Sequence, residues 1–183
     1  MGGSESEAVR NLVERLKGGD ADAAAALYRL YADQVYRYVY YQTRDADLAA
    51  DLTSEVFLRM LEHIGRYSHR GVPFRAWLFK IAHNLVIDHF RERGRFAPAE
   101  GLPDETGTGE PDPPGLDRDQ LAEALARLTA EQRQVVLLRF IEDLDIKEVA
   151  AILGKTEGAV KALQHRALAA LRRLLEGDGN AWA

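Results

Sequence analysis

With 183 residues, 46% of them apolar and 29% charged, the chain can close one core or two small ones, which excludes global disorder. Its apolar runs, such as 23–28 and 135–138, fall far short of the roughly 20 residues a membrane span needs. The absence of cysteine excludes disulfides, thiolate metal cages and thiol nucleophiles. The start, Met1-Gly2-Gly3-Ser4-Glu5-Ser6-Glu7, has no basic segment followed by an apolar core, so it does not read as a secretory signal and the expected location is cytoplasmic.

Apolar residues recur at helical spacing almost throughout and alternating strand patterns are absent, so the expected fold class is all-α, in two small helical domains. A first helix over about 5–17 ends at Gly18-Gly19. A second starts after Asp20 and carries Leu27, Leu30, Tyr31, Val35, Tyr38 and Val39 on its core side. The tyrosines of 36–41 fit packing better than a base-stacking platform. A third helix starts near Asp45 or Asp47, with Leu48, Leu52, Val56, Phe57, Met60, Leu61 and Ile64 inward and Asp47, Asp51, Glu55 and Glu62 on its polar side. A fourth begins at Pro73, whose missing N–H costs nothing in a first helical turn. Its core stripe is Phe74, Trp77, Leu78, Ile81, Leu85 and Val86, and Arg91, Arg93 and Arg95 complement the dipole at its end.

Five of the six prolines lie at 98–114, amid five glycines and most of the local acidity. Such a composition cannot offset its ordering entropy, so 96–116 is expected to be a flexible acidic linker between a domain at 1–95 and one at 117–177, with a short tail at 178–183. In the second domain Thr129-Ala130-Glu131-Gln132 is a capping box opening a helix with Val135, Val136, Leu138 and Phe140. Asp145-Ile146-Lys147-Glu148 opens the next, lined by Ile146, Val149, Ala150 and Leu153. Gly154 then turns, and Thr156 caps a helix bearing Val160, Leu163, Ala167, Leu171 and Leu174. Small Ala150, Gly154 four residues on and Val160 six further make a helix-turn-helix over about 146–166. A helical hairpin without a nucleic-acid role remains the alternative.

The net charge of −5 argues against phosphate binding only until its distribution is read. Residues 1–95 hold 14 basic and 13 acidic groups, 96–119 hold 1 and 7, and 120–183 hold 9 and 9. The stretch 66–95 has seven basic groups against Asp88 and Glu92, and 155–173 has five against Glu157. Each domain thus has one segment able to neutralise phosphates, although a solvated helix face has the same composition. His83 and His89 lack the four-residue spacing of a zinc helix, and Gly107-Thr108-Gly109-Glu110 lacks the lysine of a phosphate loop. No catalytic constellation, metal site or cofactor is expected.

Two stretches carry a family resemblance. Asp51-Leu52-Thr53-Ser54-Glu55-Val56-Phe57-Leu58-Arg59, Pro73-Phe74-Arg75-Ala76-Trp77-Leu78-Phe79-Lys80-Ile81-Ala82-His83-Asn84 and Asp88-His89-Phe90-Arg91 closely resemble region 2 of the sigma-70 family. Leu128-Thr129-Ala130-Glu131-Gln132-Arg133, the helix-turn-helix and Glu157-Gly158-Ala159-Val160-Lys161 resemble region 4. Their order and the short linker resemble the extracytoplasmic-function (ECF) class of bacterial sigma factors.

The resemblance implies a transcription initiation factor rather than an enzyme. Its expected partners are core RNA polymerase, through the clamp coiled coil of the largest subunit and the flap, promoter DNA, and an anti-sigma factor, with no membrane insertion. By analogy, Asp47, Asp51, Glu55, Phe57, Leu58 and Glu62 would dock on the polymerase. Arg66, Arg70, Arg75, Lys80, Asn84, Asp88, Arg91 and Arg95 would open and read the minus-ten element, where exposed bases need a basic groove. Lys155, Thr156, Glu157, Lys161, Gln164, His165 and Arg166 would read the minus-thirty-five element, Lys155 by phosphate contact and the helix residues at base edges. The linker is expected to thread a basic polymerase channel. A dimeric repressor and a protein-only adaptor are the competing readings.

Overall fold

The computed structural model describes residues 6–94 and 118–179; Arg95, the expected linker at 96–116 and the end of the expected tail lie outside them. Every regular element among the described residues is helical. The first lobe comprises α1 (Glu7–Lys17), α2 (Ala21–Thr43), α3 (Ala46–His63), a 3₁₀ turn (Ile64–Arg66) and α4 (Phe74–Glu92). The second comprises α5 (Arg118–Ala126), α6 (Ala130–Val136), α7 (Ile146–Leu153) and α8 (Glu157–Gly179).

The helix starts are set by local chemistry. Asp20 accepts from the N–H groups of Asp22 and Ala23 at 2.9 and 3.3 Å, and Asp45 accepts from Leu48 at 2.9 Å. Both capping boxes form: Thr129 with Gln132, and Asp145 with Glu148, whose two bonds are each 2.8 Å. Each such cap is worth about 1 kcal/mol. Pro73 stands one position earlier than expected, capping α4 with ψ 150° while Phe74 opens the helix. Gly154 ends α7 in the left-handed region at φ 63°, which a residue with a Cβ adopts only under strain.

Two local features had no sequence forecast. A short helix, α5, precedes the capping box, and α6 runs into a π-helical turn, Leu137–Ile141. The Glu142 N–H bonds the Leu137 carbonyl at 2.9 Å, and Asp143 follows at φ 51°. The extra residue of the π turn ends the helix and brings Glu142 to the first lobe.

The lobes close on one another and share a continuous apolar core. Helix α4 packs on α7, and α2 packs on α5, α6 and the π turn. Tyr31, Tyr38 and Tyr41 are buried and Tyr36 stacks on Tyr40, so the tyrosine stretch packs as expected. Trp77 is half-buried against Tyr67 and Phe74. Three expected core residues are instead exposed: Leu30, Leu61 and Phe140. In α2 and α3 the apolar stripe is wider than the neighbouring helices can cover, and Phe140 falls where the π turn breaks the helical spacing.

Behind α4, the fully buried Tyr38 places its hydroxyl 3.2 Å from His83 Nδ1. Burial, and secondarily the charge of Lys80, pushes His83 down from 6.5 to about 4. The native state thus holds His83 neutral where the unfolded chain binds a proton. Its contribution is complete above pH 6.5 and is lost as pH falls toward 4, by up to about 3 kcal/mol. Urea denaturation at a series of pH values between 7 and 4 is expected to show this loss, and His83→Gln to flatten it; the same slope in both proteins would assign it to other groups.

Candidate nucleic-acid interface

Three surfaces collect the sequence-predicted residues. On α3, positions 47, 51, 55, 58 and 62 recur at three- and four-residue steps and so share one stripe. Asp47, Asp51 and Glu62 are exposed, and Leu58 is 55% exposed among them. Glu55 is partly engaged, accepting from Arg59 Nε at 2.9 Å. Phe57 differs from its neighbours: it is 6% exposed and meets the Tyr28 ring edge-on with centroids 4.8 Å apart. It therefore supports the face from beneath, and the exposed Tyr28 and Leu61 are apolar surface residues that sequence reasoning missed. A surface of carboxylates around exposed leucines suits a basic partner that also buries apolar area.

On α4, Lys80, Asn84, Asp88 and Arg91 follow one another along one side of the helix, all exposed. Arg66 on the 3₁₀ turn and Arg70 in the loop before Pro73 are exposed as well. Two of the predicted cations are held by the second lobe. Arg75 donates from Nη2 to the Glu142 carbonyl, with its guanidinium over the Phe79 ring, and Lys80 Nζ donates to the Ala151 carbonyl at 3.0 Å.

The helix-turn-helix comprises α7, the Gly154 turn and α8. Thr156 caps α8 by accepting from the Ala159 N–H at 3.1 Å. Val160, Leu163 and Ala167 are buried, which leaves Glu157, Lys161, His165 and Arg166 on the exposed side. Glu157 and Lys161 line a hollow of about 450 Å³ with Arg139, Asp143, Asp145, Ile146 and Lys147. Lys155 is ion-paired to Glu131 at 2.7 Å, and Gln164 accepts from Arg139 Nε at 3.1 Å. Arg139 also donates to the Leu144 carbonyl, so it ties the start of α7 to the exposed side of α8. No sequence signal marks this contact, because the partners are 25 positions apart.

The residues missed altogether lie between the lobes. Arg37 on α2 makes a two-pronged contact with Glu142, Nε to Oε1 and Nη2 to Oε2, both 2.9 Å. The Glu142 side chain has no exposed surface. Burial pushes its carboxyl above the usual carboxylate range, and Arg37 and then Arg75 pull against that shift. Among the described residues no cluster of three or more potential ligands could hold a metal, and no helix is long and apolar enough to cross a membrane.

Comparison with known proteins identifies the two lobes. Residues 27–96 match sigma-70 region 2 and residues 118–171 match sigma-70 region 4. The ECF RNA polymerase sigma factor BldN of Streptomyces coelicolor is 43% identical over 181 residues, 96% of this chain and 69% of that protein. The fold is shared with CnrH in its complex with the cytosolic domain of CnrY, at a TM-score of 0.74 and 24% identity over 94% of this chain and 99% of that one. It is shared also with RpoE of Bartonella quintana, solved with the anti-sigma factor NepR, at a TM-score of 0.70 and 26% identity over 83% of this chain and 96% of that one. With both regions matched in order on one chain and the ECF relative aligned along nearly all of it, the chain belongs to the sigma-70 family, among the ECF RNA polymerase sigma factors, which are transcription regulators rather than enzymes.

Proposed function

We propose that the protein binds core RNA polymerase through the α3 face, melts and reads the minus-ten element with the α4 side of the first lobe, and reads the minus-thirty-five element with α8. The observation that carries this reading is the division of α8. Its Val160–Leu163–Ala167 side is buried, so Glu157, Lys161, His165 and Arg166 project from the start of a second helix, where a helix-turn-helix meets base edges. Lys161 donates to guanine or phosphate and Glu157 accepts from cytosine. Asp47, Asp51, Leu58 and Glu62 form the polymerase contact, with Glu55 and Phe57 supporting it. Arg66, Arg70, Asn84, Asp88 and Arg91, and after release Arg75 and Lys80, form the minus-ten contact, and Arg95 would extend it. In this reading 1–95 and 117–177 are the working domains, joined through 96–116. Tethering both through polymerase gives an effective concentration that multiplies two weak affinities.

The protein works in the cytoplasm without catalysis of its own, and an anti-sigma factor holds it inactive, a partnership supported by RpoE having been solved with NepR. Run-off transcription with core polymerase and a promoter library tests the reading: RNA from defined promoters is expected only when the protein is added. No RNA together with tight binding to duplex DNA alone would instead make it a repressor. Lys161→Ala with Arg166→Ala is expected to lower initiation at minus-thirty-five-dependent promoters by about tenfold or more, since each good base contact is worth about 1–3 kcal/mol. Undiminished output would remove α8 from the promoter.

A further inference from the structure

Arg139 lies ahead of the helix-turn-helix, in the π turn Leu137–Ile141, yet three contacts hold its guanidinium against that motif. Nη1 donates to the Leu144 carbonyl just before α7, Nε donates to Gln164 Oε1 on α8 at 3.1 Å, and the group lies 5.9 Å over the ring of exposed Phe140. A ring face attracts a cation, so Phe140, turned outward by the π turn, covers the guanidinium. Asp143, Asp145 and Glu157 line the same hollow, but the Nε bond goes to a neutral amide.

That choice settles how the amide is turned. An arginine offers donors and no acceptor, so only the oxygen of Gln164 can make this bond, and a charged donor holds it more firmly than a neutral one would. Gln164 follows Glu157 by seven positions and Lys161 by three, which puts it on their side of α8, where it is half-buried. A glutamine free to turn presents its oxygen and nitrogen together, the pattern that matches N6 and N7 of adenine. With the oxygen engaged by Arg139, the amide offers its NH2 group, whose two donors match the adjacent acceptors N7 and O6 of guanine.

We propose that Arg139 is a positioning residue for promoter specificity: by holding Gln164 Oε1 it makes Gln164 a donor and selects guanine over adenine at the base pair that Gln164 meets. The inference rests on the reading of α8 as the helix that meets the minus-thirty-five element.

The test is run-off transcription by the full chain and core RNA polymerase on barcoded templates randomised across the minus-thirty-five element. Wild type is expected to favour guanine over adenine at one position. Arg139→Met keeps the stem and loses the donors, so it should shift the guanine-to-adenine ratio there by about tenfold toward adenine, the size of one modest base contact. In a Gln164→Ala background the same substitution should leave the ratio where Gln164→Ala alone puts it. Gln164→Glu keeps the acceptor for Arg139 and removes the donor, so guanine preference should vanish at that position without disturbing the turn. Output that falls by one common factor for all four bases in Arg139→Met would assign Arg139 to the fold alone and overturn the proposal, as would an unchanged guanine preference in Gln164→Glu. Lys161→Ala separates the two levels of the argument. Preferences that depend on Lys161 but not on Gln164 would overturn the role of Arg139 and leave α8 on the promoter; preferences that depend on neither would overturn both.

Discussion

Arg133→Ala is expected to destabilise the second lobe by about 3 kcal/mol, because it removes a buried cation whose hydrogen bonds to backbone carbonyls are each worth about 1.5–3 kcal/mol and do not add fully. Arg133 is 8% exposed and donates from Nε to the Leu125 carbonyl at 2.9 Å and from Nη2 to the carbonyls of Ala126 and Leu128 at 3.3 and 3.2 Å. These carbonyls lie at and just beyond the end of α5, where few helical partners remain, although Leu125 also accepts from the Leu128 N–H at 3.2 Å, and where a cation is favoured by the dipole. Alanine would leave three acceptors facing a cavity that water fills poorly. Lysine keeps the charge but loses the planar fork, so Arg133→Lys is expected to recover part of the loss. Hydrogen exchange of the α5 and α6 amides measures both, with faster exchange expected throughout the second lobe. Exchange at the wild-type rate in Arg133→Ala would show that the guanidinium is dispensable to the fold.

Asp51→Arg combined with Leu58→Glu is expected to weaken binding to core RNA polymerase by about 100-fold, or about 2.7 kcal/mol, while leaving the fold intact. Both side chains are exposed on α3, and surface substitutions away from caps and buried pairs change stability by only about 0.5 kcal/mol. Loss of an apolar contact at Leu58 and reversal of the Asp51 charge act on opposite needs of the same interface: burial at its centre and complementary charge at its rim. Competition with a labelled sigma factor for core polymerase reads the affinity, and helical circular dichroism controls for folding. Equal competition by the variant would move the docking surface off α3.

The helical class, the two-lobe division and most helix starts were legible in the sequence, because their signals span only three or four residues. Asp20, Asp45, the two capping boxes and Gly154 act where the sequence places them. The same locality explains what was not legible. In α3 the apolar residues cover so wide an arc that periodicity cannot say which edge faces out, and Leu61, expected inward, became a surface residue beside Leu58 only once α2 and α4 had taken the other side. Phe140 left its expected place because the π turn swings it out, whereas Phe57 stays inward, as its spacing predicts, under Tyr28.

The candidate site divides in the same way. That Lys80, Asn84, Asp88, Arg91 and one side of α8 face outward follows from helical spacing, since buried positions on one side dictate what remains on the other; that the α4 run belongs to the site is what the family resemblance implies. Lys155 and Gln164 carried no sign of the ion pair with Glu131 or the bond from Arg139. Least legible of all was Glu142, an ordinary acidic residue in a chain with 29. The sequence by itself determined the helices, their caps and the residue types on the outer faces of α3, α4 and α8, because those depend on near neighbours along the chain. Only the tertiary structure decided that the lobes close, that Arg37 meets Glu142 and that Arg75 and Lys80 are held by the second lobe, because a pairing across 105 positions is selected by shape and desolvation and leaves no local pattern.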